Sequence, residues 1–189
     1  MDDRVITVDQ DAQQTSLTWL TTPEMIDPRT SEDLAMCWRA VADAGGAVGF
    51  PFPPVDEDQV RSASATMIES LHPQRSRLLV ASTSNTVSGW LLLRVNNNSL
   101  TQHWGEISRV QTSPQDRGTG IGRLLMGEAA RCARDDLGLT QLHLAARGGL
   151  GLEEYYGRLG WREVGRWPDA LRFSGTDHRD EVLMLLTLH

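Results

Sequence analysis

Apolar residues recur along this chain with two different periods, and the switches between them divide it into elements. From Ser16 to Thr22, Leu17, Trp19 and Thr21 alternate with Ser16, Thr18 and Leu20, which predicts a first strand. Alternation returns at Arg77–Ser82 and Val87–Val95, two strands flanking the turn-like Ser84-Asn85-Thr86 and thus a hairpin. Asn96-Asn97-Asn98 is a second turn, and Trp104–Thr112, Gln141–Ala145, Trp161–Arg166 and Val182–Leu188 read as further strands. Helical spacing takes over in four places. Leu34, Cys37, Trp38 and Val41 form one apolar stripe, with Thr30 or Ser31 as cap and Gly45-Gly46 as stop. Asp56 opens a second helix with Val60, Ala63, Met67 and Leu71 on one face, and Ile121, Leu124, Leu125, Ala129, Cys132 and Ala133 mark a third, ending near Gly138. Leu152, Tyr155, Tyr156 and Leu159 make a short fourth, closed by Gly160.

About seven strands and four helices make a mixed α/β (α+β) chain. Its 189 residues, 40% of them hydrophobic, suit one domain with a sizeable core. Residues 1–15, rich in Asp and Gln, read as a loosely ordered lead-in to a single domain over 16–189. The formal charge of -7 argues against a phosphate-tracking, nucleic-acid-binding surface. Cys37 and Cys132 lie too far apart for a metal or redox motif and read as free thiols of a reducing compartment. With no apolar leader and no bilayer-length segment, the expectation is a cytoplasmic protein without a membrane partner.

The candidate chemistry begins at Arg117-Gly118-Thr119-Gly120-Ile121-Gly122, between a strand and a helix. Unpaired amides gather there at the positive end of a helix dipole, and residues without Cβ let a diphosphate approach the backbone. A glycine-rich turn that binds nothing is the competing reading. Two familiar phosphate loops do not fit. No Gly-Lys-Ser/Thr run exists, and the dinucleotide fingerprint lacks both its third glycine, where Arg123 stands, and the acidic residue about 20 positions on.

What remains, Arg-x-x-Gly-x-Gly at a strand-to-helix turn, resembles the acetyl-CoA signature of the GCN5-related N-acetyltransferase (GNAT) superfamily. Tyr155-Tyr156-Gly157-Arg158-Leu159-Gly160-Trp161 is similar to that family's Phe-Tyr-x-x-Leu-Gly-Phe segment. The likeness covers about residues 75–189 well and the first third only by element order. Within the superfamily, Gly45–Phe50 and Gln141–Leu144 resemble segments of the tabtoxin-resistance acetyltransferase group. The resemblance implies a twisted, mostly antiparallel sheet splayed between the family's fourth and fifth strands. It implies acetyl-CoA as cosubstrate, no metal, and direct transfer of acetyl to an amine in a ternary complex. By the same resemblance Val110, Gln111 and Thr112 meet the pantetheine arm, through the N–H groups of Val110 and Thr112, and Arg117 to Gly122 hold the diphosphate.

Tyr156 matches the family's general acid. A phenol of pKa about 10 keeps its proton at neutral pH and can hand it to a departing thiolate. Tyr156 also lies on the apolar face beside Leu152 and Leu159, so a packing role stands next to the acid role. Glu106, six residues before Thr112, occupies the place of the base glutamate in the histone-acetylating branch; a solvent-facing carboxylate is the equal alternative. His103 and His143 are other candidate bases. Where many relatives carry an Asn seven residues before the tyrosine, this chain has Gly149.

The family builds its acceptor site from the first two helices and the loop before the last strand. Here those are Ala47–Pro54, an apolar loop with three prolines, Asp56-Glu57-Asp58, and a long loop over Trp167–Glu181. Acidic residues such as Asp169 could attract an ammonium group while Phe50 or Trp167 packs on its apolar part, although acidic loops are commonly just solvated. A small amine, amino acid or amine-bearing antibiotic is the first expectation, and a protein N-terminus or lysine the second. An acetyl-CoA sensor or drug-sequestering module on the same fold is the non-enzymatic alternative. Dimers are common among relatives, so a homodimer is open.

Overall fold

A computed structural model describes residues 5–10, 13–46, 48–50, 53–173 and 175–189, with side chains from residue 14 onward. One eight-stranded sheet organises them: β1 (Val5–Gln10), β2 (Gln13–Leu20), β3 (Ser76–Thr83), β4 (Thr86–Val95), β5 (Trp104–Thr112), β6 (Gln141–Arg147), β7 (Arg162–Arg172) and β8 (His178–Thr187). The spatial order is β1-β2-β3-β4-β5-β6-β8-β7, and every neighbouring pair is antiparallel except β5 with β6. The mixed sheet of the sequence reading is therefore present, with one strand more than expected. The added strand is β1, which falls in the segment read as a loosely ordered lead-in. Val5, Ile6, Thr7 and Val8 have the β-branched character of a strand, and the surrounding Asp and Gln residues mask it in a composition-based reading.

Four helices cover the two faces: α1 (Pro28–Asp43), α2 (Glu57–Glu69), α3 (Ile121–Arg131) and α4 (Leu152–Arg158). Helix α1 starts earlier than Thr30 or Ser31 suggests. Asp27 is its cap, accepting the Thr30 amide at 2.6 Å, and Pro28 takes the first turn, where its missing N–H costs nothing. Asp56 caps α2 as read, accepting from the Gln59 amide at 2.9 Å.

Strand alternation splits the interior into two cores. Leu17, Leu79, Leu91, Leu93 and Ile107 face α3 and α4, while Leu20, Leu78, Val80, Trp90 and Leu92 face α1 and α2. Trp19 crosses to α3, donating to the buried Glu128 carboxylate at 2.9 Å, and Arg131 closes on the same carboxylate at 2.8 Å. Cys37 and Cys132 are free and buried, and burial pushes the Cys37 thiol up to about 12.

The C-terminal region departs most from the sequence reading. Most of the expected Trp167–Glu181 loop is strand: β7 and β8 form a long hairpin paired from Arg162↔Leu185 to Arg172↔His178. Irregularities at Glu163/Gly165 and Trp167/Leu171 break its alternation, and Pro168 sits inside the second of them. A bulged strand carrying a proline reads as loop in the sequence.

Candidate active site

Strands β5 and β6 pair only from Trp104–Glu106 to Gln141–His143. Beyond those residues they part, and a cavity of about 550 Å³ opens between Ile107–Thr112 and Leu144–Arg147. Extended backbone points successive amides to opposite edges. Ser113 donates its amide to the Ser88 carbonyl next to β4 at 2.8 Å, so the amides of Thr112 and Val110 turn the other way, into the gap.

On the α3/α4 side the cavity is bounded by the glycine-rich turn. Gly118 and Gly120 hold φ of +82° and +89°, a left-handed path that brings the chain tightly into α3. Gly122 follows in the first turn, where a Cβ would stand 2.7 Å from the Tyr155 hydroxyl. Its lack of a side chain is what lets α4 close against the start of α3. Arg117 reaches the cavity from the same turn. Thr119 is exposed and spends its hydroxyl on the Asp116 carbonyl at 2.6 Å, and Ile121 is buried in the core. Those two side chains shape the turn; their backbone lies at the helix start.

Tyr156 lines the cavity from α4, with its ring centroid 5.2 Å from that of Tyr155 and 6.1 Å from that of Trp161. The ring is buried, and burial together with the neighbouring Tyr155 phenol raises its pKa above the ordinary tyrosine value. Among the described residues nothing hydrogen-bonds its hydroxyl.

Other expected site residues stand elsewhere. Glu106 is exposed on β5, beside Arg94 and His143 in the register, and does not line the cavity. His143 lies flat on Trp104 at 4.3 Å, and burial lowers its pKa, while His103 is exposed. Trp167 is 65% exposed on β7. Asp169 is also exposed there, at the bulge, with φ +52° and its amide donated to the Asp180 carboxylate at 3.2 Å. Neither residue lines the cavity between β5 and β6, because the expected loop is a hairpin whose irregularity turns them outward. Within the acidic run at the start of α2, Asp56 caps the helix and Glu57 pairs with Arg39 and Arg61, while Asp58 is exposed. Phe50, the third residue expected at the acceptor, is half-buried. It packs on Trp38 at 5.3 Å and lines a second cavity of about 360 Å³, which adjoins the first along Ala145–Arg147.

The structure also brings in residues the sequence reading missed. Ser108 and Arg109 line the first cavity, Arg147 lines both, and Glu181 lines the second. Gln111 had been expected among the cofactor contacts, yet its side chain stands across from Trp90, on the α1/α2 face. Strict alternation would send Arg109 toward α3. Its φ of +56°, at an irregularity in the β4–β5 register, instead lays the guanidinium 4.5 Å over the Trp38 ring. Among the described residues no group of three or more His, Cys, Asp or Glu side chains is placed to hold a metal, and no helix is long and apolar enough to cross a membrane.

Known proteins share this fold. Solved structures align over nearly the whole chain. An acetyltransferase of the GNAT family from Desulfovibrio desulfuricans matches with TM-score 0.69 and 16% identity, over 93% of this chain and 99% of its own. A protein classed as a phosphinothricin N-acetyltransferase gives 0.72 and 20%, over 92% and 99%. A protein from Salmonella typhimurium classed as an acetyltransferase, solved with its cofactor acetyl-CoA, gives 0.66 and 18%, over 92% and 94%. No curated protein matches. The sequence model of the acetyltransferase (GNAT) family matches residues 31–161, more than half of the chain. With the splayed sheet and the glycine-rich turn in place, the chain belongs to the GNAT acetyltransferase family.

Proposed function

We propose that this protein transfers the acetyl group of acetyl-CoA to the primary amine of a small molecule, by direct attack while both substrates are bound. One observation carries the reading. The cavity between β5 and β6 joins the glycine-rich start of α3, on one face of the sheet, to a polar end beneath α1 on the other. Two substrates can enter from opposite faces and meet in the gap.

The residues fit acetyl-CoA. First-turn amides of α3 have no intrahelical partners and sit at the positive end of its dipole, with Arg117 beside them, which suits a diphosphate. The Val110 and Thr112 amides suit the pantetheine arm, and the one nearer the thioester oxygen faces the negative charge that grows as the amine attacks. Tyr156, buried and protonated across the neutral range, supplies a proton to the departing thiolate. No carboxylate or imidazole among the described residues lines the first cavity, so the amine proton leaves through water, toward Glu181 in the second cavity. Kinship with proteins named for phosphinothricin and for nourseothricin acetylation supports a small-molecule acceptor.

Release of free thiol from acetyl-CoA, followed with a panel of primary amines, tests the reading. Amine-dependent release is the expected result. Saturable CoA binding without release from any amine would make the protein a binder on the same fold.

A further inference from the structure

The acceptor end of the cavity is cationic, the reverse of the acidic site expected from the sequence. Arg147, at the end of β6, is 9% exposed. Its Nη1 donates to the Gly45 carbonyl at 3.2 Å, and the guanidinium stacks 3.8 Å over the Phe173 ring. Its Nε is buried with no partner. Arg109 approaches from β5. Its guanidinium lies over Trp38, with Nη1 3.5 Å from the Val48 carbonyl, and a Cβ on Gly49 would stand 2.9 Å from that nitrogen. No ion pair engages either arginine among the described residues. Asp177, whose charge reaches Arg147, is bonded to Arg179. Glu181 is the cross-strand neighbour of Arg147 and lies outside ion-pair distance.

Two half-buried to buried guanidinium groups lining one cavity from its two sides, with no carboxylate among its lining residues, are costly unless something anionic arrives. Burial already pulls both pKa values below the ordinary arginine value. A second set of groups points the same way. The Ser108 hydroxyl and both amide atoms of Gln111 are buried without partners, and both residues line the cavity beside Arg109. Natural proteins seldom leave so many polar atoms unsatisfied in one place. The bulge at Arg109 creates the arrangement, because it puts Ser108, Arg109 and Gln111 on the same face of β5, opposite the face that meets α3.

We infer that this end of the cavity is an oxyanion subsite, and that the acceptor is an amine that also carries a carboxylate, as an amino acid does. The inference rests on the transferase reading and narrows its substrate class. Arg147 and Arg109 clamp the carboxylate, Ser108 and Gln111 add neutral hydrogen bonds, and the amine is thereby aimed into the gap between β5 and β6. Glu181, in the adjoining cavity, complements the ammonium form of the same molecule.

The test uses the full chain, acetyl-CoA, and pairs of amines that differ only in a carboxylate: α-amino acids and the amines left when that group is replaced by hydrogen. Thiol release should favour the carboxylated member. In Arg147→Gln the preference, as a ratio of kcat/KM values, should fall on the order of 10- to 100-fold, mostly through KM of the amine. Arg109→Gln should reduce the same ratio. A wild-type measurement guards against variants that misfold: the des-amino acid, which keeps only the carboxylate, should compete with the amino acid. Equal use of both members, an equal loss for both in the variants, or no competition would overturn the subsite and show the arginines to be braces for the Gly45–Gly49 segment. Turnover of neutral amines alone would overturn it while leaving the transferase standing, whereas failure to bind CoA would remove both.

Discussion

Replacing Tyr156 with Phe removes one oxygen from the centre of the proposed chemistry and leaves the packing nearly intact. The ring keeps its contacts with Tyr155 and Trp161. Because no described residue hydrogen-bonds the hydroxyl, folding stability should change by less than about 1 kcal/mol. Activity should respond very differently. A positioned general acid contributes about 10²–10⁴-fold. A departing thiolate is a far better leaving group than an alkoxide or amide anion and needs only partial protonation, which favours the low end of that range. A loss of roughly 10²-fold in kcat corresponds to about 2.7 kcal/mol of transition-state stabilisation. The assay is thiol release at saturating acetyl-CoA and amine, beside calorimetry of CoA binding to the same variant. Affinity for CoA should move by less than about 3-fold, since the diphosphate contacts lie on α3. Turnover within about 3-fold of wild type, with the variant folded, would refute the reasoning and leave Tyr156 a packing residue.

Further outcomes follow from the same geometry. Because the folded-state pKa of Tyr156 is raised, the unfolded chain loses this proton first as pH passes about 10, and stability should fall above that pH by up to about 1.4 kcal/mol per unit. Urea titrations at pH 9 and above should show a shallower decline in Tyr156→Phe; identical slopes would contradict this. Gly122→Ala places a methyl group against the Tyr155 hydroxyl and should weaken CoA binding by about 10-fold or more with little change in Tm, measured by calorimetry and thermal melting. Gly89→Ala would set a Cβ 2.6 Å from the Gln111 carbonyl oxygen, so β4 and β5 must shift, and urea unfolding should report a loss of about 1–3 kcal/mol. Glu106→Gln should leave kcat/KM within about 3-fold of wild type, because the carboxylate lies outside the cavity; a much larger loss would restore Glu106 as a base.

The legibility of this chain in its sequence followed the regularity of its backbone. The stripes of α2 and α4 were readable because their side chains keep the period that a helical backbone imposes. The glycine-rich turn was readable because its conformation demands particular residues at Gly120 and Gly122. What escaped was set by breaks in regularity or by distant partners. The bulge at Arg109 reverses the direction of a single side chain, which no period count reports. Arg147 gains its meaning from Gly45, far away in sequence, and from Phe173, in a segment that the proline-bearing bulge of β7 disguised as loop. Glu106 was placed by likeness to relatives alone. The β5–β6 pairing still holds at that residue, and the gap opens only beyond it.

The whole account depends on a diphosphate held by the backbone between Arg117 and Gly122. Calorimetric titration of the protein with CoA, alongside pantetheine, which lacks the diphosphate and the nucleotide beyond it, measures the hold on that half of the cofactor. The account predicts saturable one-site binding of CoA, and pantetheine weaker by at least about 10-fold, as the loss of charge-assisted contacts requires. Absence of saturable heat with CoA, or equal affinity for the two, would contradict it.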